Sequence, residues 1–324
     1  MIFDNIMFHN VAELEESDKG YKMWRVPQEI REHLNDTAKN STSGCATGVE
    51  LRFKMKGESA TLILAADKAA EATVAYIYYG SIQGGWENSS RVILNQNTRI
   101  TIQKPHNMDF LKQLSKAKKF PFNPEVVRVV LPYGYIYYVG VEGEVEPPTK
   151  EELPTKTYLA YGSSITHGSL SLAAPYTYPF RLSQKLGCDY INLGMAGSAH
   201  MEKAMAEYII SKKDWDFATV EMGINMLGMD AVLFEERIDM FTQILSKDSR
   251  PIYATSIYGF SDPNMQESGR KFRQIVEKYA KERLNFVDGL EFLNHSAYIS
   301  QDMVHPSMEG MEEIVQKWYS ILTR

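Results

Sequence analysis

Hydrophobic and polar positions follow different periods in the two halves of the chain. From Glu50 to Gly143, apolar residues occur in short runs that are rich in β-branched and aromatic side chains. From Thr157 onward, short apolar runs alternate with longer segments in which apolar residues recur every three or four positions. The first pattern is typical of antiparallel strands joined by turns, and the second is typical of strands alternating with helices.

The first half consists of runs bounded by Gly, Asn, Asp or Pro, which predicts a β-sandwich or jelly roll. In the run ELRFKMK, which begins at Glu50, Leu51 and Phe53 lie on one face and Arg52 lies on the other, so we predict a strand with one face in water. The runs are ELRFKMK, ATLILAA, ATVAYIYYG, SRVILNQ, RITIQ, VVRVVLP and YIYYVGVEG.

The second half alternates strand and helix patterns, which predicts crossover units and a parallel sheet with helices on both faces. Gly187 stands where a glycine would end the first long helix. The predicted strands are TYLAYG, DYINLG, FATVEMG, PIYATSIYG and LNFVDG. The predicted helices are TYPFRLSQKLG, MEKAMAEYIISKK, AVLFEERIDMFTQILSK, QESGRKFRQIVEKYAKER and SMEGMEEIVQKWYSILTR.

A connector separates the two patterns. The segment EVEPPTKEELPTK, from Glu144 to Lys156, has three prolines, six charged residues and little apolar content. Such a composition favours an exposed link between domains. We therefore predict two domains, residues 1–150 and residues 151–324.

Composition narrows the classes of partner. The chain has 324 residues and a net charge of −6, which argues against binding to nucleic acid or to an anionic membrane surface. No apolar run approaches the roughly 20 residues of a membrane span, and the N-terminal segment lacks the pattern of a signal peptide. Cys45 and Cys188 form no CxxC pair, so we expect buried thiols and a cytoplasmic location.

Polar residues follow several of the predicted strands. Ser163 and Ser164 follow the first strand, the glycine-containing segment NLGMAGSAH follows the second, and Asn225 follows the third. Asp302 stands three residues before His305 near the C-terminus. In open parallel sheets, sites form outside the carboxyl ends of the strands, and these are the groups that acyl transfer through a serine requires. Singly, each feature is more often a helix N-cap, a turn or a surface hydrogen bond than part of a site.

Four short blocks, taken in order, resemble the SGNH hydrolases, also called the GDSL esterase and lipase family. The blocks are Gly162-Ser163-Ser164-Ile165-Thr166, Asn-Leu-Gly-Met-Ala-Gly ending at Gly197, Gly223-Ile224-Asn225 and Asp302-Met303-Val304-His305. The resemblance covers roughly residues 157 to 324. It implies a flavodoxin-like α/β/α sandwich with a parallel sheet, preceded here by the all-β domain.

The resemblance also implies a role for each matched residue. Ser164 would be the nucleophile, His305 the general base and Asp302 the residue that orients His305. The backbone N–H groups of Ser164 and Gly197 and the side-chain amide of Asn225 would form the oxyanion hole. No metal or cofactor is implied, because the sequence has no HExxH motif, no cysteine–histidine cluster, no GxGxxG and no P-loop lysine.

Two departures from the family pattern concern the pocket rather than the triad. Ser163 replaces the acidic residue of the first block, and Asn225 lacks the aspartate that often follows it. A GSSIT block behind a β-sandwich resembles a subgroup with an N-terminal jelly roll, several members of which are carbohydrate acetylesterases. We therefore expect a carboxylic ester hydrolase that acts on short acyl esters, such as acetylated xylo-oligosaccharides.

Other interpretations remain open at this point. The same triad could hydrolyse lipid esters or thioesters or transfer acyl groups, and the protein could instead be a carbohydrate-binding module without catalysis. His167 and His200 lie near the blocks, and a structural role is favoured for both. The tyrosine-rich segments of the first half fit either sheet packing or a platform for a sugar. A homo-oligomer is neither predicted nor excluded.

Overall fold

The computed structural model describes residues 1–67 and 73–324. Ala72, the first residue of the predicted run ATVAYIYYG, lies outside the described residues. The elements up to residue 146 are, in chain order, β1 (Ile2–Phe3), β2 (Ile6–His9), β3 (Glu13–Ser17), β4 (Gly20–Trp24), α1 (Gln28–Arg31), α2 (Asp36–Asn40), β5 (Glu50–Met55), β6 (Ser59–Ala66), β7 (Val74–Tyr79), β8 (Ile82–Gln83), β9 (Ser90–Val92), β10 (Thr98–Gln103), α3 (Met108–Lys118), β11 (Val127–Val130), β12 (Ile136–Glu142) and β13 (Val145–Glu146).

These strands form two antiparallel sheets. One has the order β1-β2-β5-β11-β7-β8, with β13 beside β5 and β9 beside β7, and the other has the order β10-β6-β12-β4-β3. Side chains from both sheets share one core, in which Leu51 and Phe53 of β5 lie with Leu62 and Leu64 of β6. Two sheets packed across a common apolar layer make a β-sandwich, as the sequence predicted.

One prediction about this domain is wrong. The opposite face of β5 is not in water, because Arg52 is fully buried there. Its guanidinium donates to both carboxylate oxygens of Asp189, at 2.6 and 2.7 Å, and Asp189 belongs to the second half of the chain. The alternating pattern thus marks a face that the second domain covers, and the arginine is tolerated there because it is paired.

The second half contains β14 (Thr157–Gly162), α4 (Ser164–His167), α5 (Tyr178–Leu186), β15 (Asp189–Gly194), α6 (Lys203–Ser211), β16 (Phe217–Glu221), α7 (Ala231–Leu245), β17 (Ile252–Thr255), α8 (Gln266–Arg283), β18 (Asn285–Val287) and α9 (Met308–Leu322). Its strands form a parallel sheet of order β15-β14-β16-β17-β18. This is the 2-1-3-4-5 order of flavodoxin-like folds.

Helices cover both faces of this sheet. Apolar residues of α6, α7 and α8, including Ile209, Phe241 and Phe272, pack on one face. On the other face lie residues of α5 and α9, including Phe180 and Trp318. The predicted α/β/α sandwich is confirmed, and Gly187 ends α5 in a left-handed conformation (φ 66°), as expected.

The sheets change from antiparallel to parallel between β13 and β14, within the predicted connector. A division into residues 1–150 and 151–324 remains our proposal. The helices of the described part of the chain lack the combination of length and hydropathy that a bilayer crossing requires.

Candidate active site

The two serines after β14 have different surroundings. Ser163 is turned into the protein, where its hydroxyl donates to Glu221 at 2.7 Å and accepts from the backbone N–H of Ile165 at 3.2 Å. It is therefore the N-cap of the short helix α4. Ser164, the first residue of α4, donates from Oγ to Nε2 of His305 at 2.7 Å. The Ser163 hydroxyl thus has a structural role, whereas the Ser164 hydroxyl contacts a potential base.

His305 and Asp302 lie in a tight turn between Ile299 and Pro306, which form an isolated antiparallel bridge. The Nδ1–H of His305 donates to Oδ2 of Asp302 at 2.6 Å, which leaves Nε2 free to accept the proton of the Ser164 hydroxyl. The side chain of His305 is 25% exposed and that of Asp302 43% exposed, so water reaches this side of the relay.

Hydrogen bonds hold Asp302 in its ionised form. Burial would raise the pKa of this carboxyl, but Oδ1 accepts from the backbone N–H groups of His305 and Val304 and from the hydroxyl of Ser300. Together with the imidazole, these donors keep the pKa of Asp302 well below its ordinary value. The carboxylate is therefore available to orient the imidazole and to stabilise an imidazolium.

Gly197 and Asn225 lie on two adjoining loops. The amide oxygen of Asn225 accepts from the backbone N–H of Ala199 at 3.1 Å, so the Asn225 side chain is tied to the loop that contains Gly197. Gly197 has a φ of +65°, and a Cβ placed on it would meet no heavy atom within 4 Å. The Cβ position of Gly197 thus borders open space.

The loop that contains Gly197 also forms a hydrogen bond with the helix that begins at Ser164. The backbone N–H of Ala196 donates to Nδ1 of His167 at 3.0 Å, and the His167 ring stacks on Tyr133 with centroids 4.6 Å apart. Burial, and to a smaller extent the charge of Arg25, lower the pKa of His167 well below its ordinary value. A neutral His167 accepts this hydrogen bond, which is the structural role that the sequence favoured.

Glu221 is a neighbour of the site that sequence reasoning missed. Its Oε2 accepts from both the backbone N–H and the hydroxyl of Ser163, at 2.8 and 2.7 Å, while Oε1 is buried without a hydrogen-bond partner among the described residues. Burial raises the pKa of Glu221. The sequence feature that could have identified Glu221 is its position as an acidic residue at the carboxyl end of a central strand.

The structure thus brings Ser164, His305 and Asp302 into one hydrogen-bonded relay, with Gly197 and Asn225 on linked loops. Nothing in the sequence pointed to Arg25, which reaches from the β-sandwich to the end of β15, just before the loop that contains Gly197.

Comparison with known proteins gives the class. Residues 160–313 match the model of the GDSL-like lipase/acylhydrolase family. The protein is a carboxylic ester hydrolase. This match confirms the resemblance to that family which the four blocks predicted.

Solved structures show the same fold over nearly the whole chain. A salicylyl-acyltransferase from a tetracycline biosynthetic pathway is 16% identical, with a TM-score of 0.78 over 98% of this chain and 95% of that chain. A family two carbohydrate esterase from Cellvibrio japonicus is 11% identical (TM-score 0.62, 99% and 95%). An acetyl xylan esterase from the rumen bacterium Butyrivibrio proteoclasticus is 10% identical (TM-score 0.54, 99% and 96%). No curated protein matches the sequence.

Proposed function

We propose that the protein is a serine esterase in which Ser164 is the nucleophile, His305 the general base and Asp302 the residue that orients the imidazole. The observation that carries this proposal is the relay of two short hydrogen bonds, 2.7 Å from Ser164 to His305 and 2.6 Å from His305 to Asp302. A nucleophile within hydrogen-bond reach of a base that a third group orients is the arrangement that covalent acyl transfer requires.

In the first half-reaction, Oγ of Ser164 bonds to the ester carbonyl carbon while its proton passes to Nε2 of His305. The carbonyl π electrons move to oxygen, and the N–H groups of Ser164 and Gly197 and the amide of Asn225 stabilise the oxyanion. The tetrahedral intermediate then expels the alcohol oxygen, which takes the proton from His305. An acyl group remains on Ser164.

In the second half-reaction, a water molecule gives its proton to His305 and attacks the acyl carbon. The intermediate releases the carboxylic acid, and the proton returns to Oγ of Ser164. The exposure of His305 and Asp302 supports water as the acceptor.

The proposed substrate is a short acyl ester, such as an acetyl ester, of a saccharide. A cavity of about 450 Å³, the interdomain cleft, is lined by Thr47, Tyr76 and Tyr133 of the β-sandwich and by the 168–174 loop after α4. This volume is in the range of about 300–1,000 Å³ that small-molecule sites occupy. The loop also contributes Leu170 and Leu172 to the lining. The two tyrosines and the hydroxyl side chains beside them fit a sugar, which needs both stacking faces and hydrogen-bond partners.

Acyl transfer to another alcohol is the second candidate. Its support is the fold shared with the salicylyl-acyltransferase, which covers 98% of this chain. Esters of lipids and thioesters stay alternatives for the same chemistry.

We also propose a reducing, cytoplasmic location, because Cys45 and Cys188 are buried free thiols; fractionation of cells tests it.

The test has two arms. A fluorophosphonate probe should label the wild-type protein and leave Ser164→Ala unlabelled, whereas absence of labelling in both would favour a binding module without catalysis. We then expect kcat/KM for p-nitrophenyl acetate to exceed that for the octanoate by at least about tenfold, or about 1.4 kcal/mol. Acetate release from acetylated xylo-oligosaccharides would support the saccharide, faster octanoate turnover the lipid ester, and ester formation with an added alcohol the transferase.

A further inference from the structure

We propose that the β-sandwich completes the active site, because its Arg25 positions the loop of residues 195–200 that contains Gly197. This inference rests on the proposed function, since the position of Gly197 matters for catalysis only if its N–H group binds an oxyanion. Arg25 is here a positioning residue that acts through the backbone.

Arg25 is a buried charge that bonds only to backbone carbonyls within the described part of the chain. It is 1% exposed. Within its own domain it donates to the carbonyls of Cys45 (2.8 Å) and Thr42 (2.6 Å), and across the interface to those of Asn192 (2.8 Å) and Gly194 (3.0 Å). A buried arginine without a carboxylate is costly, so an ion pair does not explain its presence.

The two carbonyls across the interface are those at the carboxyl end of β15, where the 195–200 loop begins. Arg25 thus fixes the point from which the chain turns toward Gly197, and its planar guanidinium fixes several acceptors in one geometry.

Two further side chains of the β-sandwich hold the same loop. The amide of Asn35 donates to the carbonyl of Ser198 at 2.9 Å, and the hydroxyl of Thr42 is 2.7 Å from that of Ser198. Since Ser198 directly follows Gly197, the β-sandwich binds the loop on both sides of the proposed oxyanion donor.

The catalytic domain holds the loop from the opposite side. Ala196 donates to His167, and Ala199 donates to the amide oxygen of Asn225. Gly197 lies between these two anchors with open space beside it. Loss of the Arg25 contacts would let the loop move, and small misplacements of a catalytic group are costly, about 100-fold in rate for 1 Å.

The test compares Arg25→Met with Arg31→Met. Arg31 is also a mostly buried arginine, but its bonds go to the Val26 carbonyl and to Glu13, within the β-sandwich. For p-nitrophenyl acetate we expect Arg25→Met to lower kcat by about 10- to 100-fold with KM changed less than about threefold, because a misplaced oxyanion donor acts in the transition state. Arg31→Met should keep kcat, and Arg25→Lys should recover part of the loss.

Hydrogen exchange gives a readout that does not depend on activity. In Arg25→Met, amides of the 195–200 loop should exchange at least about tenfold faster than in wild type, while those of the core strand β16 keep their protection. Arg31→Met should leave exchange in the loop unchanged. If the wild-type protein lacked esterase activity, the proposed function would fail, and the exchange result would still decide whether Arg25 positions the loop.

Several outcomes would overturn the inference: an unchanged kcat, an effect on KM alone, or exchange that rises throughout the protein in step with global unfolding. Should Arg25→Met not fold, Thr42→Val removes one hydroxyl contact at nearly constant volume, and it should lower kcat severalfold and raise loop exchange. The double variant Arg25→Met/Asn225→Ala should lose less kcat than the product of the fold-losses of the two single variants, since both side chains act on one loop.

Discussion

At the residue scale, the two adjacent serines are distinguished by their partners. Of the two, only Ser164 forms a hydrogen bond with His305, whereas the Ser163 hydroxyl donates a hydrogen bond to Glu221. We predict that Ser164→Ala lowers kcat for p-nitrophenyl acetate by several orders of magnitude. Ser163→Ala should retain most of the activity, because the backbone N–H of Ser163 still donates to Glu221. Steady-state rates on the folded variants decide this, and reversed effects would show that the nucleophile is Ser163.

Asn225 has an acceptor and a donor in separate roles. Its amide oxygen accepts from Ala199, so its NH2 group remains for the oxyanion. We predict that Asn225→Ala lowers kcat by about 100- to 1,000-fold with little change in KM. Asn225→Asp keeps the acceptor for Ala199 and removes the donors, so its kcat should fall at least as far. A rise in KM with kcat unchanged would instead make Asn225 a substrate-binding residue.

Residues that act through local chemistry were predictable, and those that act at a distance were not. Ser164, Asp302 and His305 could be named because short blocks and strand ends fix their places in the sequence. Arg25 bonds to carbonyls 167 and 169 residues further along the chain, which no spacing in the sequence encodes. Glu221 ends a strand where a strand was predicted, but an acidic residue at a strand end is too common to indicate a contact with Ser163.

At the element scale, the helix α4, which begins at Ser164, lies against the end of β15. A Cβ on Gly194 would lie 2.2 Å from the backbone nitrogen of His167, so no side chain fits there. At Gly187, a Cβ would meet nothing within 4 Å, but φ is +66°. We predict that Gly187→Ala costs about 1–2 kcal/mol of unfolding free energy from backbone strain.

Gly194→Ala should be the more damaging of the two, because the clash is with backbone and cannot be relieved by a rotamer change. It should also lower kcat by displacing the turn that contains Ser164, while Gly187→Ala should keep kcat. Urea unfolding of both variants, with steady-state rates, tests this pair. Equal losses of stability would show that α4 has room to move.

Regular elements of the second half were predicted to within a few residues, since each has a clear period. The α3 helix and strands β1–β4 were not predicted. Strand β2, Ile6–His9, is held by pairing with the distant β5, and β1, Ile2–Phe3, only extends it in a local hairpin, so neither has a clear pattern of its own. The face of β5 was misjudged for the same reason, because Arg52 on that face is a polar residue covered by another domain.

At the scale of the whole molecule, a buried network of charges joins the domains. Arg52 bonds to Asp189 and Glu50, and Arg128 bonds to Glu50. Burial would raise the pKa of Glu50, but Arg128 and Arg52 lower it to about 2, and Arg52 likewise holds that of Asp189 well below its usual range. Burial lowers the pKa of His9 beside them.

Each of these folded-state values lies below that of the unfolded chain, so the unfolded state binds more protons in acid. Stability should be complete above about pH 6.5, begin to fall there through His9, and fall further below about pH 4.5 through Glu50 and Asp189. At pH 7, Asp189→Asn should cost about 3–5 kcal/mol, because Arg52 and Arg128 would then share the single carboxylate of Glu50, and its acid dependence should be shallower. Glu142→Gln, which removes a carboxylate from an exposed pair with Arg99, should behave like wild type. Urea unfolding at several pH values measures the free energy of unfolding of each variant. Equal values for Asp189→Asn and Glu142→Gln at every pH would contradict the prediction.

The interdomain cleft is lined by residues of both domains. Tyr133 of the β-sandwich is 47% exposed there, while its ring stacks on His167, three residues after Ser164. A half-exposed tyrosine beside the turn that contains Ser164 offers a sugar both an apolar face and a hydroxyl. We therefore predict that Tyr133→Ala raises KM for acetylated xylo-oligosaccharides about tenfold, the loss of roughly 1.4 kcal/mol of binding.

The same variant should change KM for p-nitrophenyl acetate much less, since that ester has no sugar to place in the cleft. Phe110→Ala is the matched control, because Phe110 is also an exposed aromatic of the β-sandwich but lies on α3 and does not line the cleft. Its kinetics should be those of wild type for both substrates. Equal losses on both substrates in Tyr133→Ala would mean that the tyrosine supports His167 and the active-site turn, and the sugar would then have to bind elsewhere along the rim.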